Sequence, residues 1–508
     1  MDHPGRDMLL PDLLPTEKLL AALAAEFGLD AAPECEASVV YADSFDWRLY
    51  RKGYLLHCHG SYWSLCHGDS GEAATQPDGP KLQTSCFAGD FPPGELRKLL
   101  EPILGGRCLL PLAEVNLHSR QISLLNRDKK AIAAIEIRQS ADRERRTLLL
   151  RRVRGYEGEH EVIRRILAEN GVTESVLPLT SFEDACRAKG RSPLDYSQKF
   201  TLELDGDEAA REAMIRIYQA LLDTITLNMP GALADYDPEF LHDIRVAIRR
   251  ARSGLIFAKR VLPDSVSLSR MFRRLGAITG PTRDLDVYLL AQDDHVKRLS
   301  SCLRPGLQEF FAELSRKRQV EQKKMARMLG SRKTEALFSA WQQALKRHDR
   351  QTADLSDLPI RELADRIILK RYKRVMRGGR NLDATTPDTE THRLRLQCKK
   401  LRYAIELFGS LYPKQELKIV TRQLRKLQDI LGSFNDLSVQ QEMLRQSVIT
   451  LAAESPQKLD QAAALGGLLQ SLFQEQEALR GRFARAFARF GNQKTVMLFH
   501  KLFRKRGR

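Results

Sequence analysis

Over the first 200 residues, apolar and polar positions alternate in short bursts. YLLHCHG (54–60), SYWSLCHG (61–68), RQISLLN (120–126), AIAAIEIRQ (131–139) and TLLLRRVRG (147–155) carry the two-residue period of strands. The clusters SGEAATQPDGP and NRDKK break them as turns. Two stretches change to a helical period, TEKLLAALAAEFG and EHEVIRRILAENG, the second closing on a glycine suited to a helix cap. Residues 1–190 therefore predict an antiparallel α+β domain. AKGRSPLDYSQK (188–199) has the composition of a linker, which we place at 191–206. From residue 207 the strand period vanishes, and helical periodicity runs almost to residue 508.

The helical part repeats itself. In FLHDIRVAIRRARSGL, His242, Arg245, Arg249 and Arg252 fall within an arc of about 80° on a helix. Ile244, Ile248, Ala251 and Leu255 form an apolar stripe on another face. The stretch from His242 has a partner 150 residues later, HRLRLQCKKLRYAI, starting at His392. Arg245 then aligns with Arg395, Arg249 and Arg250 with Lys399 and Lys400, and Arg252 with Arg402. SRMFRRLGAITGPTRDLDV aligns with TRQLRKLQDILGSFNDLSV at an offset of 152, bringing Arg270, Arg273 and Arg274 onto Arg422, Arg425 and Lys426, and Asp284 onto Asp436. A solvated face has no physical reason to repeat its charges while its neighbours drift. The internal repeats span about 207–350 and 351–508.

Charge sharpens this picture. The 508-residue chain carries +17, unevenly distributed. Residues 1–199 hold 26 Lys and Arg against 29 Asp and Glu, whereas residues 200–508 hold the other 56 against 36, a balance of +20. Such asymmetry points to a polyanionic partner for the helical part: nucleic acid, a membrane surface or an inorganic polymer. No apolar run approaches the roughly 20 residues that span a bilayer. MDHPGRDMLLPDLLPTEK lacks the features of a signal peptide, so a cytoplasmic location is expected. The eight cysteines form no CxxC pair, and no disulfide framework or zinc signature is expected.

The paired H-x-x-R-x-x-x-[RK]-[RK]-x-R helices, each followed by an LG…[RN]D-L segment, resemble the CHAD family, the conserved histidine α-helical domain. That resemblance implies two pseudo-symmetric four-helix bundles over 207–508 and a basic groove that binds inorganic polyphosphate, with association with polyphosphate granules. On matching positions it implies binding by His242, Arg245, Arg249, Arg252, Arg270, Arg273, Arg274, His392, Arg395, Lys399, Arg402, Arg422 and Lys426. The chemistry agrees: a polymer without base edges needs only a row of cationic donors, and a row from 242 to 252 extends about 15 Å. The histidines have two readings, as phosphate donors or as packing at a bundle junction. Asp284 and Asp436 are expected to orient cations or cap helices. Arg371, Lys373 and Arg374, and the row Arg482, Arg485 and Arg489 in GRFARAFARF, are further basic positions, the latter on an amphipathic helix.

YADSFDWRLYRKGYLLHCHGSYWSL, RQISLLNRDKKAIAAIEI and LLLRRVRGYEGEHEVIRRIL resemble a CYTH domain, which implies a barrel or tunnel for 1–190. Active members carry an E-x-E-x-K strand, but the corresponding stretch reads GRDMLLPDL, and His57 and His59 stand where arginines are usual. Without clustered carboxylates to hold magnesium, no catalytic residues, metal or cofactor are expected, and the chain reads as a non-enzyme. HCHGSYWSLCH does not match a metal-binding pattern, because Cys58 points away from His57 and His59 on a strand. The rival readings are a nucleic-acid-binding protein and an active triphosphate tunnel phosphohydrolase. Against the first, the basic helices have almost no interleaved aromatics.

Overall fold

The computed structural model describes residues 7–11, 14–67, 71–76, 78–140, 146–174, 179–258, 261–262, 265–346, 355–380, 383, 385–454 and 458–503. Arg260 and the basic tail beyond Phe503 lie outside them. The chain divides into two compact units, Met1–Gln198 and Lys199–Arg508.

The first unit is an antiparallel curled sheet, a half-barrel, of β1 (Asp7–Leu9), β2 (Gly28–Ala31), β3 (Cys35–Asp43), β4 (Tyr54–His59), β5 (Tyr62–His67), β6 (Gly71–Gln76), β7 (Leu110–Leu125), β8 (Ala131–Ser140), β9 (Arg146–Arg152) and β10 (Thr173–Glu174). The order is β10-β1-β9-β8-β7-β3-β4-β5-β6, with β2 beside the second half of β7. Among the described strands β6 and β10 are free edges, so the sheet is curled but not closed. The NRDKK turn joins β7 to β8 as its residues require. The Asn126 side chain accepts the Asp128 and Lys130 N–H groups, and Lys129 takes a left-handed conformation.

Two apolar clusters flank the sheet. Helices α1 (Thr16–Ala24) and α3 (Glu157–Glu169) bury Leu19, Leu23, Ile163 and Leu167 against Ile122, Ile135, Ile137 and Leu148. Helix α2 (Glu95–Leu104), not expected from the sequence, buries Leu96, Leu100 and Leu104 against Leu56, Trp63 and Leu65. A fourth helix, α4 (Leu179–Ala188), brings Phe182 against Tyr41, Trp47 and Tyr50. The segment read as linker from residue 191 is docked on this unit up to residue 198. Arg191 pairs with Asp195 at 2.6 Å and lies over Phe45 and Trp47, while Tyr196 is buried.

The second unit is helical throughout. Its first copy contains α5 (Ala210–Ala234), α6 (Pro238–Ala258), α7 (Ser265–Leu290), the short α8 (Gln292–Lys297), α9 (Arg304–Leu329) and α10 (Arg332–Lys346). Its second contains α11 (Ile360–Arg380), α12 (Asp388–Leu407), α13 (Lys414–Glu454), α14 (Leu459–Phe490) and α15 (Gln493–Phe503). The copies clasp each other where α5 and α11 begin. Ala210 N–H donates to Leu358 O (2.8 Å) and Ile360 N–H to Glu208 O (2.9 Å). Outside these, Arg211 N–H reaches Ser356 O and Arg361 N–H reaches Gly206 O, each at 3.1 Å. Each bond maps onto its partner by a shift of 150 residues, which is the signature of a twofold relation between the copies.

The stripe Ile244, Ile248, Ala251 and Leu255 is buried, as is its counterpart Leu394, Cys398, Leu401 and Ile405. Both therefore turn the basic faces of α6 and α12 away from their bundle cores. In GRFARAFARF, Phe483, Phe487 and Phe490 are buried and Arg482, Arg485 and Arg489 exposed. Phe487 lies where a side chain on Gly379 would stand. Gly379→Ala is accordingly expected to destabilise this unit by about 1–3 kcal/mol, measured by urea unfolding.

Candidate functional site

Helices α6 and α12 pack against each other, so the basic faces of the two copies meet along one seam. Each has an inner and an outer position. The inner pair, Arg249 and Lys399, are equivalent under the 150-residue shift and close enough for Arg249 to act electrostatically on Lys399. Among the described residues neither has a hydrogen-bond or ion-pair partner, and Arg249 Nε is buried. The outer pair, Arg245 and Arg395, are each braced by the aspartate that the repeat predicted. Arg245 lies 3.8 Å from Asp284, and Arg395 donates to Asp436 at 3.0 Å. Their side chains are 19% and 13% exposed, and the Nε atom of each is buried without a partner.

Helix α7 also contributes to the site: Arg245 Nη1 reaches Gly276 O and Thr279 Oγ1 at 3.3 Å. Arg402 lies 3.3 Å from Glu406, a carboxylate that Arg250 reaches from the other copy at 3.0 Å.

The histidines sit at the junctions of these helices, engaged by residues not singled out beforehand. Arg283 donates to His242 Nδ1 at 3.0 Å, which requires that nitrogen to carry a lone pair. In the second copy the equivalent position is Asn435, and His392 Nδ1 bonds its side-chain oxygen. Each ring is thus oriented through Nδ1 by the residue before the repeat aspartate, and the identity of that residue was the available signal. Arg270, Arg273 and Arg274 on α7 and Arg422 and Lys426 on α13 are exposed. Among the described residues no hydrogen bond or ion pair joins these five to the α6–α12 cluster. The structure therefore brings together Arg245, Arg249, Arg252, Arg395, Lys399 and Arg402, with the five others on adjoining helices.

In the first unit, His57 and His59 share a face of β4, and Cys58 lies in the apolar cluster on the other side. Burial, aided by Arg138, pushes His57 down to about 4, so it is neutral at physiological pH. Glu136 on β8 is held by Arg138 at 2.8 Å and Arg151 at 3.1 Å. No group of three His, Cys, Asp or Glu among the described residues is placed to hold a metal ion.

A duplicated helical domain whose two copies meet in a cationic seam is the class of protein that the second unit defines. Residues 216–445 match the family model described as the CHAD domain, so this unit carries a CHAD domain. No curated protein matches the chain. Among solved structures it is similar to the CHAD domain from the plant Ricinus communis, at 28% identity over 57% of this chain and 96% of that one, with a TM-score of 0.49. It is also similar to PptA from Streptomyces chartreusis, at 16% identity over 55% of this chain and 99% of that one, with a TM-score of 0.43. No helix among the described residues is long and apolar enough to cross a membrane.

The seam leaves a thermodynamic mark. Burial first, then Arg395 and Arg249, push the Lys399 ammonium from 10.5 down to about 8. Between pH 8 and 10.5 the unfolded chain then binds more protons at this residue than the folded one, and stability rises with pH across that window. Lys399→Met is expected to raise Tm by a few degrees at pH 7, where most of the charge is present, and to flatten that rise. Calorimetry at pH 7, 8, 9 and 10 reads both effects.

Proposed function

We propose that the CHAD domain binds inorganic polyphosphate along the α6–α12 seam, without catalysing its turnover. One observation carries this reading: Arg249 and Lys399, one from each copy, are gathered side by side and neither has a carboxylate partner among the described residues. A polyanion laid along the seam would meet both, and then Arg245, Arg252, Arg395 and Arg402 on either side. Arginine supplies paired N–H donors to phosphoryl oxygens, and lysine a mobile point charge. Exposed contacts are individually weak, about 0–1 kcal/mol, so affinity depends on one polymer engaging both copies. Among the described residues the ring against the seam cation Arg402, Tyr403, is buried and so does not offer a face to a base, which favours an inorganic chain over nucleic acid. Association with polyphosphate granules follows as the cellular expression of this binding. The first unit reads as a CYTH-like half-barrel without the acidic strand of active members. We expect no metal-dependent hydrolysis of triphosphate by the full chain, as followed by phosphate release with magnesium or manganese.

Arg245→Ala with Arg249→Ala is expected to weaken long-chain polyphosphate binding about as much as Arg395→Ala with Lys399→Ala. The quadruple variant should be weaker still and show a flatter dependence of log affinity on log salt. Titrations at several salt concentrations test this, with circular dichroism to establish folding. Unchanged affinity and slope in a folded quadruple variant would place the polyanion elsewhere. DNA or RNA binding as tightly as polyphosphate at equal ionic strength would favour the nucleic-acid reading. Binding should also weaken as pH rises through about 8, because Lys399 loses its charge there in the free protein.

A further inference from the structure

We propose that a cleft between α11 and α12 is a second anion site, distinct from the seam, which takes a compact inorganic oligophosphate of two or three phosphoryl groups. Helix α12 is basic on two sides. His392, Arg395, Lys399 and Arg402 face the seam, while Arg393, Gln397 and Lys400 lie roughly on the opposite side at 100° per residue. This second face borders a cleft of about 490 Å³ lined by Arg374, Arg377, Thr386, Glu390, Arg393 and Gln397. That volume falls within the range of small-molecule sites, about 300–1,000 Å³. Arg371, only 4% exposed, and the lining residue Arg374 both act electrostatically on Lys400.

The charges lining this cleft are out of balance. Glu390 is the one carboxylate in its lining, and it is engaged by Arg393 at 2.7 Å. Among the described residues Arg374, Arg377 and Lys400 have no carboxylate within ion-pair distance. Burial, then Arg371 and Arg374, lower the Lys400 pKa, with no acid opposing them. Arg374, Arg377 and Arg393 are exposed, so an incoming anion can reach all three, and the like charges gathered there repel one another until it neutralises them. Gln397 also lines the cleft, with its Oε1 atom buried and without a donor.

The cleft belongs to the second copy alone. At the 150-residue shift, Arg371, Arg374, Arg377, Arg393 and Gln397 correspond to Leu221, Thr224, Leu227, Asp243 and Ala247. The duplicated seam therefore does not account for these cations. Among the described residues the lining has no aromatic side chain to hold a base, so the phosphoryl groups themselves are the recognised chemistry.

The inference does not depend on polyphosphate binding at the seam, and its test separates the two. The full chain carrying Arg249→Ala and Lys399→Ala is titrated calorimetrically with tripolyphosphate at low salt. Binding is expected to persist in this background and to fall at least about tenfold when Arg374→Gln and Arg377→Gln are added. Arg374→Lys with Arg377→Lys should retain most of it. In the otherwise unaltered chain, Arg374→Gln with Arg377→Gln should leave long-chain affinity within about twofold. Failure of tripolyphosphate to bind the first background would overturn the proposal, as would indifference to the glutamine pair in protein that circular dichroism shows to be folded. An equal loss of long-chain and tripolyphosphate affinity would make the cleft an extension of the seam and remove its separate identity. Tighter binding of ATP than of tripolyphosphate would reject the inorganic ligand.

Discussion

Cations from two helices share one seam, and their mutual repulsion is the constraint that the helical unit has to satisfy. Nothing local to α6 or α12 would bring Arg249 beside Lys399. They are held there because another face of each helix is apolar and buried, through Ile244, Ile248 and Leu255 in one copy and Cys398, Leu401 and Ile405 in the other. Hydrophobic burial of this kind is worth about 1.5–3 kcal/mol per large side chain, enough to offset the unfavourable electrostatics of a partly exposed cluster. Asp284 and Asp436 pair with the outer arginines and act on Arg249 and Lys399 only from beyond ion-pair distance.

The symmetry of the arrangement begins at the backbone. Four main-chain hydrogen bonds between segments 206–211 and 356–361 relate the copies by a constant shift, so the two basic helices approach as equivalents. The copies diverge further along the chain, where α7 (Ser265–Leu290) faces the longer α13 (Lys414–Glu454), and also in their side chains. Arg283 orients His242 where Asn435 orients His392, and Glu406 bridges Arg250 and Arg402 with Ile256 at its equivalent position. The α11–α12 cleft is the largest of these departures, with arginines standing opposite leucines.

Much of this was legible in the sequence, because duplication makes function visible as recurrence. The periodic strands β4, β5, β8 and β9, the basic faces of α6 and α12, and the aspartates at 284 and 436 were all readable from period or repeat. What escaped depended on long-range pairing. The stretch RQISLLN is only the second half of the 16-residue strand β7, whose first half is interrupted by Pro111 and is specified by its partner β3. Helix α2 carries Pro102 and gains its place by burying three leucines on the sheet. The partners of His242 and His392 lie more than 40 residues away on other helices, and the [RN]D step of the repeat marked the positions without showing what they bond.

The central claim is that α6 and α12 form a single cationic site spanning both copies, and the ionisation of Lys399 reports on it most directly. Selective ¹⁵N labelling of lysine, with Lys399→Arg to assign the resonance, would give its pKa by nuclear magnetic resonance. The account predicts a value near 8 in the free protein, a rise when Arg249→Ala removes the neighbouring charge, and a rise toward 10.5 on adding polyphosphate. A Lys399 that titrates near 10.5 in the free protein and responds to neither the Arg249 substitution nor polyphosphate would contradict it.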